Sequence, residues 1–209
     1  MENRVSHLNP LDDPNSYIGK SISRDGARRA VAGRSRYTDD ITLPRMLHAA
    51  FIRSPYAHAK ILAVNVDKAR QQPEVALVMT GTELREVCTG PWIGTLTSFE
   101  GMKSAPQYPM AIDRACWQGE PIVMIVASSR ATAEDAAEFV VIEYEELPVI
   151  ADKEIALDVK SPVIHPELGD NLAFRKTINT GDVEKALAEA DFVIEETFEF
   201  GRHTAVSLE

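Results

Sequence analysis

Seven side chains in this sequence could act as metal ligands, nucleophiles or proton carriers near neutral pH. They are His7, His48, His58, His165 and His203, with Cys88 and Cys116. No two of the histidines stand at metal-ligand spacing. The cysteines lie far apart and form no C-x-x-C pair, which excludes a self-contained iron–sulfur cluster or a zinc site with several thiolates. Cys88 and Cys116 read as small packed residues rather than nucleophiles. His48 falls inside an apolar run and reads as a buried or half-buried imidazole. His58 follows Ser54-Pro55-Tyr56-Ala57 in a turn, where it could grip a neighbouring segment or take part in catalysis. His203, beside Arg202, has no visible partner.

Two charge clusters complete the chemical inventory. Glu143 and Glu145 share one face of an expected strand, with Glu146 beside them. Paired acids can divide acid and base roles when burial separates their pKa values. This cluster sits at a strand end before Leu147-Pro148, where a solvated edge that resists aggregation is the simpler reading. Arg24, Arg28, Arg29, Arg34 and Arg36 form a basic stretch, offset by Asp39 and Asp40. It fits a solvated or interface loop, or else a phosphate or cofactor contact. The chain has no G-x-G-x-x-G, P-loop, H-E-x-x-H or G-x-S-x-G motif. The residues alone describe an α/β scaffold without a complete active site.

The elements that must position these groups follow from hydrophobic periodicity. Met46–Arg53, Ile61–Val66 and Val75–Met79 read as strands. Asp67 is an expected N-cap for Lys68–Gln71, and Thr80 or Thr82 for a helix through Glu83–Glu86. Pro121–Ala127 is apolar on both faces, as a central strand should be. Ser129 or Thr132 caps a helix over Ala131–Phe139, with Ala133, Ala136, Ala137 and Val140 along one side. Val141–Glu145 is a further strand, so the pattern is α/β or α+β. Asp182–Ala190 reads as a helix, and Asp191–Phe200 as a strand with Ile194, Phe198 and Phe200 on one face. Gly33, Tyr37–Asp40 and Pro44 argue against a helix in Gly19–Arg36. Trp92 and Phe99, in a long segment without periodicity, either cover the core or anchor a partner. Ser161-Pro162, His165-Pro166 and Gly169–Asn171 mark a linker.

Composition narrows the class of partner. The chain has 209 residues, 44% hydrophobic and 26% charged, with a net charge of −10. That is ordinary for a folded globular protein and unsuited to nucleic acid, whose phosphates it would repel. There is no signal-peptide run and no window apolar enough to span a bilayer, so a cytoplasmic protein without membrane contact is expected.

Several stretches resemble the large, molybdenum-cofactor-binding subunit of the xanthine dehydrogenase / aldehyde oxidase / carbon monoxide dehydrogenase family. Gly33-Arg34-Ser35-Arg36-Tyr37-Thr38-Asp39-Asp40-Ile41 is similar to its opening G-x-x-x-Y-x-x-D pattern. Leu47 to Ala59, containing Arg53-Ser54-Pro55-Tyr56-Ala57-His58-Ala59, resembles its L-x-A-x-x-R-S-x-x-A-H-A signature. Gly119-Glu120-Pro121-Ile122-Val123 followed by Ala127 resembles its G-x-P-V-A-x-V-x-A strand. Tyr144-Glu145-Glu146-Leu147-Pro148 matches Y-E-x-L-P. Gly181-Asp182-Val183 before a helix is similar to its G-D-x-x-x-A-F/L element, and Gly201–Glu209 to its H-x-x-x-E-P segment, ending before the Pro.

The resemblance implies an irregular N-terminal arm over 1–17, an α/β-hammerhead domain over 18–148, and a linker with the beginning of the first molybdenum-cofactor-binding domain over 149–209. It implies a scaffold and subunit-contact role in a molybdenum hydroxylase that oxidises an aldehyde or N-heteroaromatic small molecule with water as oxygen source. The molybdenum cofactor (molybdopterin) would be bound mainly outside this chain, with FAD and 2Fe-2S clusters on partner domains or subunits. The remainder of the large subunit, or a separate chain carrying it, would be a partner. The family's glycine-rich loop, glutamine segments and catalytic glutamate belong further along a full-length subunit. Accordingly no residue here is assigned as catalytic, cofactor-binding or metal-binding, and the isolated chain is expected to be inactive. The alternative is a non-catalytic hammerhead module that docks to flavin or iron–sulfur subunits.

Overall fold

In the computed structural model, residues 17–22, 24, 26–88, 90 and 100–201 are described. The chain divides into two units, Pro44–Phe198 and Met1–Leu43 with Glu199–Glu209.

In the larger unit, strands β1 (His48–Arg53), β2 (Ala59–Asn65), β3 (Val75–Thr80), β4 (Arg114–Ala115), β5 (Pro121–Ala127) and β6 (Val141–Glu146) form two sheets. The first has the order β1-β5-β3 and the second β4-β2-β6. Every pairing is antiparallel. The strand–helix–strand passage through β5 and β6 therefore does not make a parallel unit, and the fold is of the α+β kind. β5 is the central strand its composition predicts. Its Ile122, Val123, Ile125 and Ala127 are all buried, because a neighbour on each edge and packing on both faces leave no side for a polar residue. Its proline is the first residue of the strand, where no ladder donor is lost.

Among the described residues of the larger unit there are four α-helices, α2 (Asp67–Arg70), α3 (Gly81–Val87), α4 (Arg130–Ala137) and α5 (Val183–Ala188), of which α2, α3 and α4 pack against the strands while α5 is exposed. α4 begins where Ser129 Oγ accepts from the Thr132 amide at 3.1 Å. It buries Ala133 and Ala136 against the core, and two residues this small let a helix lie close to a sheet. α3 opens with a capping box. Thr80 Oγ1 accepts from the Glu83 amide at 3.3 Å, and Glu83 Oε2 accepts from the Thr80 amide at 2.9 Å. Gly81 then lies so near the main chain of Ala111 that a Cβ would fall 1.9 Å from its carbonyl oxygen. At α2, Asp67 is the first helical residue rather than the N-cap. The N-cap position is Val66, without a side-chain cap, and Asn65 Oδ1 accepts from the Asp67 amide at 3.1 Å in the turn before the helix.

Two expectations fail. Gly19–Arg36 was expected to be without helix, yet the smaller unit contains α1 (Ala27–Val31). One turn fits between Gly26 and Gly33, and Gly33, at φ +64, closes it. Asp191–Phe200 was expected to be a strand, but no described residue there is one. Its Phe192, Ile194 and Phe198 are 89%, 85% and 78% exposed. Alternation alone does not make a strand: no described strand offers the segment a ladder, and unpaired backbone gains nothing by extending.

The segment expected as a linker is ordered by side chains. Asn171 donates to the carbonyls of Ala156 (3.0 Å) and Pro162 (2.9 Å) and accepts from the Ile164 amide (3.1 Å). Lys103 Nζ reaches Asp170 Oδ1 at 2.6 Å and the Leu168 carbonyl at 3.1 Å. Trp92, Phe99, Arg202, His203 and His7 lie outside the described residues.

Candidate functional site

The groups with chemical potential in the larger unit gather at the turn between β4 and β5. Arg53 and Ser54, at the end of β1, hold that turn. Arg53 Nη1 donates to the Gly119 carbonyl at 2.9 Å, the Ser54 amide to the Glu120 carbonyl at 2.8 Å, and the Gly119 amide to the Ser54 carbonyl at 2.9 Å. Gly119 sits at φ +92, a conformation that side chains other than glycine resist. The Arg53-Ser54 and Gly119-Glu120 motifs, far apart in sequence, are thus the two halves of one joint.

His58 secures a second joint. It is buried, its Nδ1 donates to the Pro148 carbonyl at 2.7 Å, and its Nε2 lies 3.4 Å from Arg114 Nη1. The Leu147 amide also donates to the His58 carbonyl at 3.0 Å. Tyr56 and Tyr144 meet edge to face with ring centroids 5.1 Å apart. His58 therefore grips a neighbouring segment, the first of its two expected roles.

Beside these joints lies a cleft of about 450 Å³, whose lining includes Arg85, Tyr108, Arg114, Cys116, Trp117, Glu120 and His165. Glu120 Oε2 accepts from the Cys116 amide at 2.6 Å. Cys116 Sγ is 4.0 Å from His165 Nδ1, which is 3.6 Å from Glu167 Oε1. Burial raises the Glu120 carboxyl, opposed by hydrogen bonds from the backbone of Cys116 and Trp117 and by His165. Burial, aided by Glu120, pushes the Cys116 thiol up to about 11. It stays protonated at neutral pH and is no nucleophile, as expected of a packed cysteine. Cys88 closes α3, its amide donating to the Leu84 carbonyl at 3.0 Å.

The remaining candidates stay apart. His48 is half-buried in β1. Glu143, Glu145 and Glu146 are exposed on β6, an edge strand, where Glu145 faces Lys60 at 2.9 Å across the ladder. This is the solvated edge expected of them. The approach of His165 to Cys116 was not legible in sequence. Forty-nine residues separate them, and no periodicity links a turn to a distant loop.

Two small antiparallel sheets with helices packed on their strands define a class of fold, the α/β hammerhead. Residues 32–148 match the family described as "Aldehyde oxidase and xanthine dehydrogenase, a/b hammerhead domain". The chain belongs to the aldehyde oxidase and xanthine dehydrogenase family. The nicotine 6-hydroxylase large subunit of Paenarthrobacter nicotinovorans is 35% identical over 207 residues, 95% of this chain and 25% of that one. The xanthine dehydrogenase molybdenum-binding subunit of Escherichia coli O157:H7 is 33% identical over 165 residues, 79% of this chain and 22% of that one. Among solved structures, the aldehyde oxidoreductase of Desulfovibrio gigas superposes with a TM-score of 0.68 at 27% identity, covering 81% of this chain and 19% of that one. The chain spans about a quarter of the length of these curated relatives.

The family implies a molybdenum cofactor. Among the described residues no buried polar side-chain atom lacks a hydrogen-bond partner, and no three His, Cys, Asp or Glu side chains group to hold a metal. Within the cleft Glu120 is engaged by the Cys116 amide and His165 lies near Cys116 and Glu167, and no reaction step is assigned to these residues.

Proposed function

We propose that this chain is the scaffold and subunit-contact part of a molybdenum hydroxylase that oxidises an aldehyde or N-heteroaromatic substrate with water as oxygen source. Residues 18–148 form its hammerhead, and 149–209 lead into the first cofactor-binding domain. The molybdenum cofactor, FAD and 2Fe-2S clusters are carried by other parts of the assembly, in the cytoplasm. One observation carries the reading: the Arg53–His58 signature forms joints within the hammerhead, to Gly119–Glu120, Arg114, Tyr144 and Leu147–Pro148. These residues build a frame and leave the chemistry to others. The names of the relatives, which include a nicotine hydroxylase, a xanthine dehydrogenase and an aldehyde oxidoreductase, support the substrate class.

The test is to tag the chain in its own host, isolate what assembles with it, and measure molybdenum and turnover of aldehydes and N-heteroaromatics in ¹⁸O-labelled water. Molybdenum in the complex and label in the product are expected. A complex free of molybdenum and inactive on both substrate classes overturns the reading.

A further inference from the structure

Residues 17–43 carry charge of the sign opposite to residues 44–209. Residues 17–43 hold six Lys and Arg against three Asp, whereas 44–209 hold fifteen Lys and Arg against twenty-six Asp and Glu. Local structure gathers the basic residues. The Gly33 amide donates to the Ala30 carbonyl at 3.1 Å and the Arg34 amide to the Arg29 carbonyl at 2.8 Å. This turn brings Ser35–Tyr37 back beside α1. Between them runs a groove of about 440 Å³ whose lining includes Arg24, Arg29, Ser35, Arg36 and Tyr37. Tyr37 is held in turn by Asp40, whose Oδ2 accepts from the Tyr37 amide at 3.0 Å. None of Arg24, Arg28, Arg29, Arg34 or Arg36 is paired through its side chain with a described residue.

We infer that this groove docks a carboxylate-rich face of a partner polypeptide. A guanidinium presents a planar fork that matches a carboxylate. Three forks lining one groove can engage acidic side chains spread along a protein surface. A compact phosphate site draws instead on clustered free backbone amides, and here the Gly33 and Arg34 amides are spent on the turn. Val31, which lines the groove, is 91% exposed, and Tyr17, Ile18, Ile41 and Leu43 of the same stretch are exposed as well. Arginine and tyrosine set among apolar side chains is the composition of a protein interface. A five-residue helix is too short to lie as an amphipathic anchor on a lipid surface.

The experiment measures binding of the 209-residue chain to three probes at low salt: a 20-residue glutamate-rich peptide, inorganic pyrophosphate, and vesicles with anionic lipid. The peptide is expected to bind. The triple variant Arg24→Ala, Arg29→Ala, Arg36→Ala is expected to weaken it about tenfold, the sum of three modest ion pairs. The triple Arg→Lys variant should recover only part of the loss. All three arginines are exposed, so circular dichroism should be unchanged. A control triple at Lys60, Lys68 and Lys185 should leave peptide binding intact. Peptide binding that ignores the arginine triple, falls equally in the control, or is outdone by pyrophosphate or vesicles overturns the inference.

Discussion

His58 and Pro148, ninety residues apart, are joined by a 2.7 Å hydrogen bond from a buried imidazole to a main-chain carbonyl. The same imidazole lies 3.4 Å from Arg114 through its other nitrogen, so one ring ties the start of β2 to β4 and to the exit of β6. Replacing it with alanine leaves a cavity and strands the Pro148 carbonyl. His58→Ala should cost about 2–3 kcal/mol, seen as a lower urea midpoint with unchanged slope. A loss below 0.5 kcal/mol would show that the joint carries no strength.

Gly81 and Gly26 form a matched pair for a second prediction. A Cβ on Gly81 would collide with the Ala111 carbonyl, while one on Gly26 meets nothing within 4 Å. Gly81→Ala should destabilise by about 2–4 kcal/mol, since main chain must move. Gly26→Ala should be neutral to within about 0.5 kcal/mol. Thermal unfolding of the two variants side by side checks this, and equal melting temperatures would refute it.

The Cys116 thiol gives a third. Its pKa is raised from 9.0 to about 11 by burial, so iodoacetamide at pH 8 should label it far more slowly in the folded chain than in urea. The sign follows. Folded protein keeps the proton while unfolded chain begins to lose it near pH 9, so this group's contribution to stability is intact below pH 9 and declines as pH rises toward 11. Rapid native labelling of Cys116 at pH 8, located by peptide mass, would contradict this.

Glu83 titrates the other way. The Thr80 backbone amide, with Arg70 and the Thr80 hydroxyl, holds its carboxyl below 4.5. Its contribution to stability is present above that value and is lost as pH falls through the lower folded pKa. Glu83→Gln should flatten the stability profile in this acid range, and Thr80→Ala should cost about 1 kcal/mol. Denaturant titrations between pH 3 and 7 provide the check, and an unchanged acid limb in Glu83→Gln would count against the capping box.

Lys103 offers a fifth. Its contacts with Asp170 and Leu168 pin the loop after β6 to the body. Lys103→Met should speed hydrogen exchange in 164–173 and leave β5 protected. Exchange that rises equally in β5 would mean that Lys103 supports the whole unit rather than the loop.

These residues also show which features a sequence can and cannot declare. Pro121–Ala127 announces a central strand because both faces are apolar, and two helix starts are legible because a cap is a local bond, though the sequence leaves Thr82 beside Thr80 and Thr132 beside Ser129 as candidates. For His58 the sequence leaves gripping and catalysis side by side, and its acceptor at Pro148 shows only in the fold. The arrangement of strands into two sheets is invisible locally, since β1 finds β5 and not its neighbour β2. Asn171 orders its loop by bonds to carbonyls as distant as Ala156, which no pattern of residue types encodes. α1 escapes the sequence because a single turn between two glycines has no periodicity to read. Asp191–Phe200 reads as a strand by alternation, yet it meets no partner strand among the described residues.

The strand order bears on how the chain is made. β1, β2 and β3 come first from the ribosome, yet none of them pairs with another. β1 and β3 both wait for β5, and β2 waits for β4 and β6. Until residue 127 has emerged, the first sheet has no centre, and its two outer strands expose edges on both sides. Folding of the larger unit is therefore a late, concerted event paced by loop closure over long separations. The nascent chain passes through a stage in which these unpaired edges invite chaperones or aggregation.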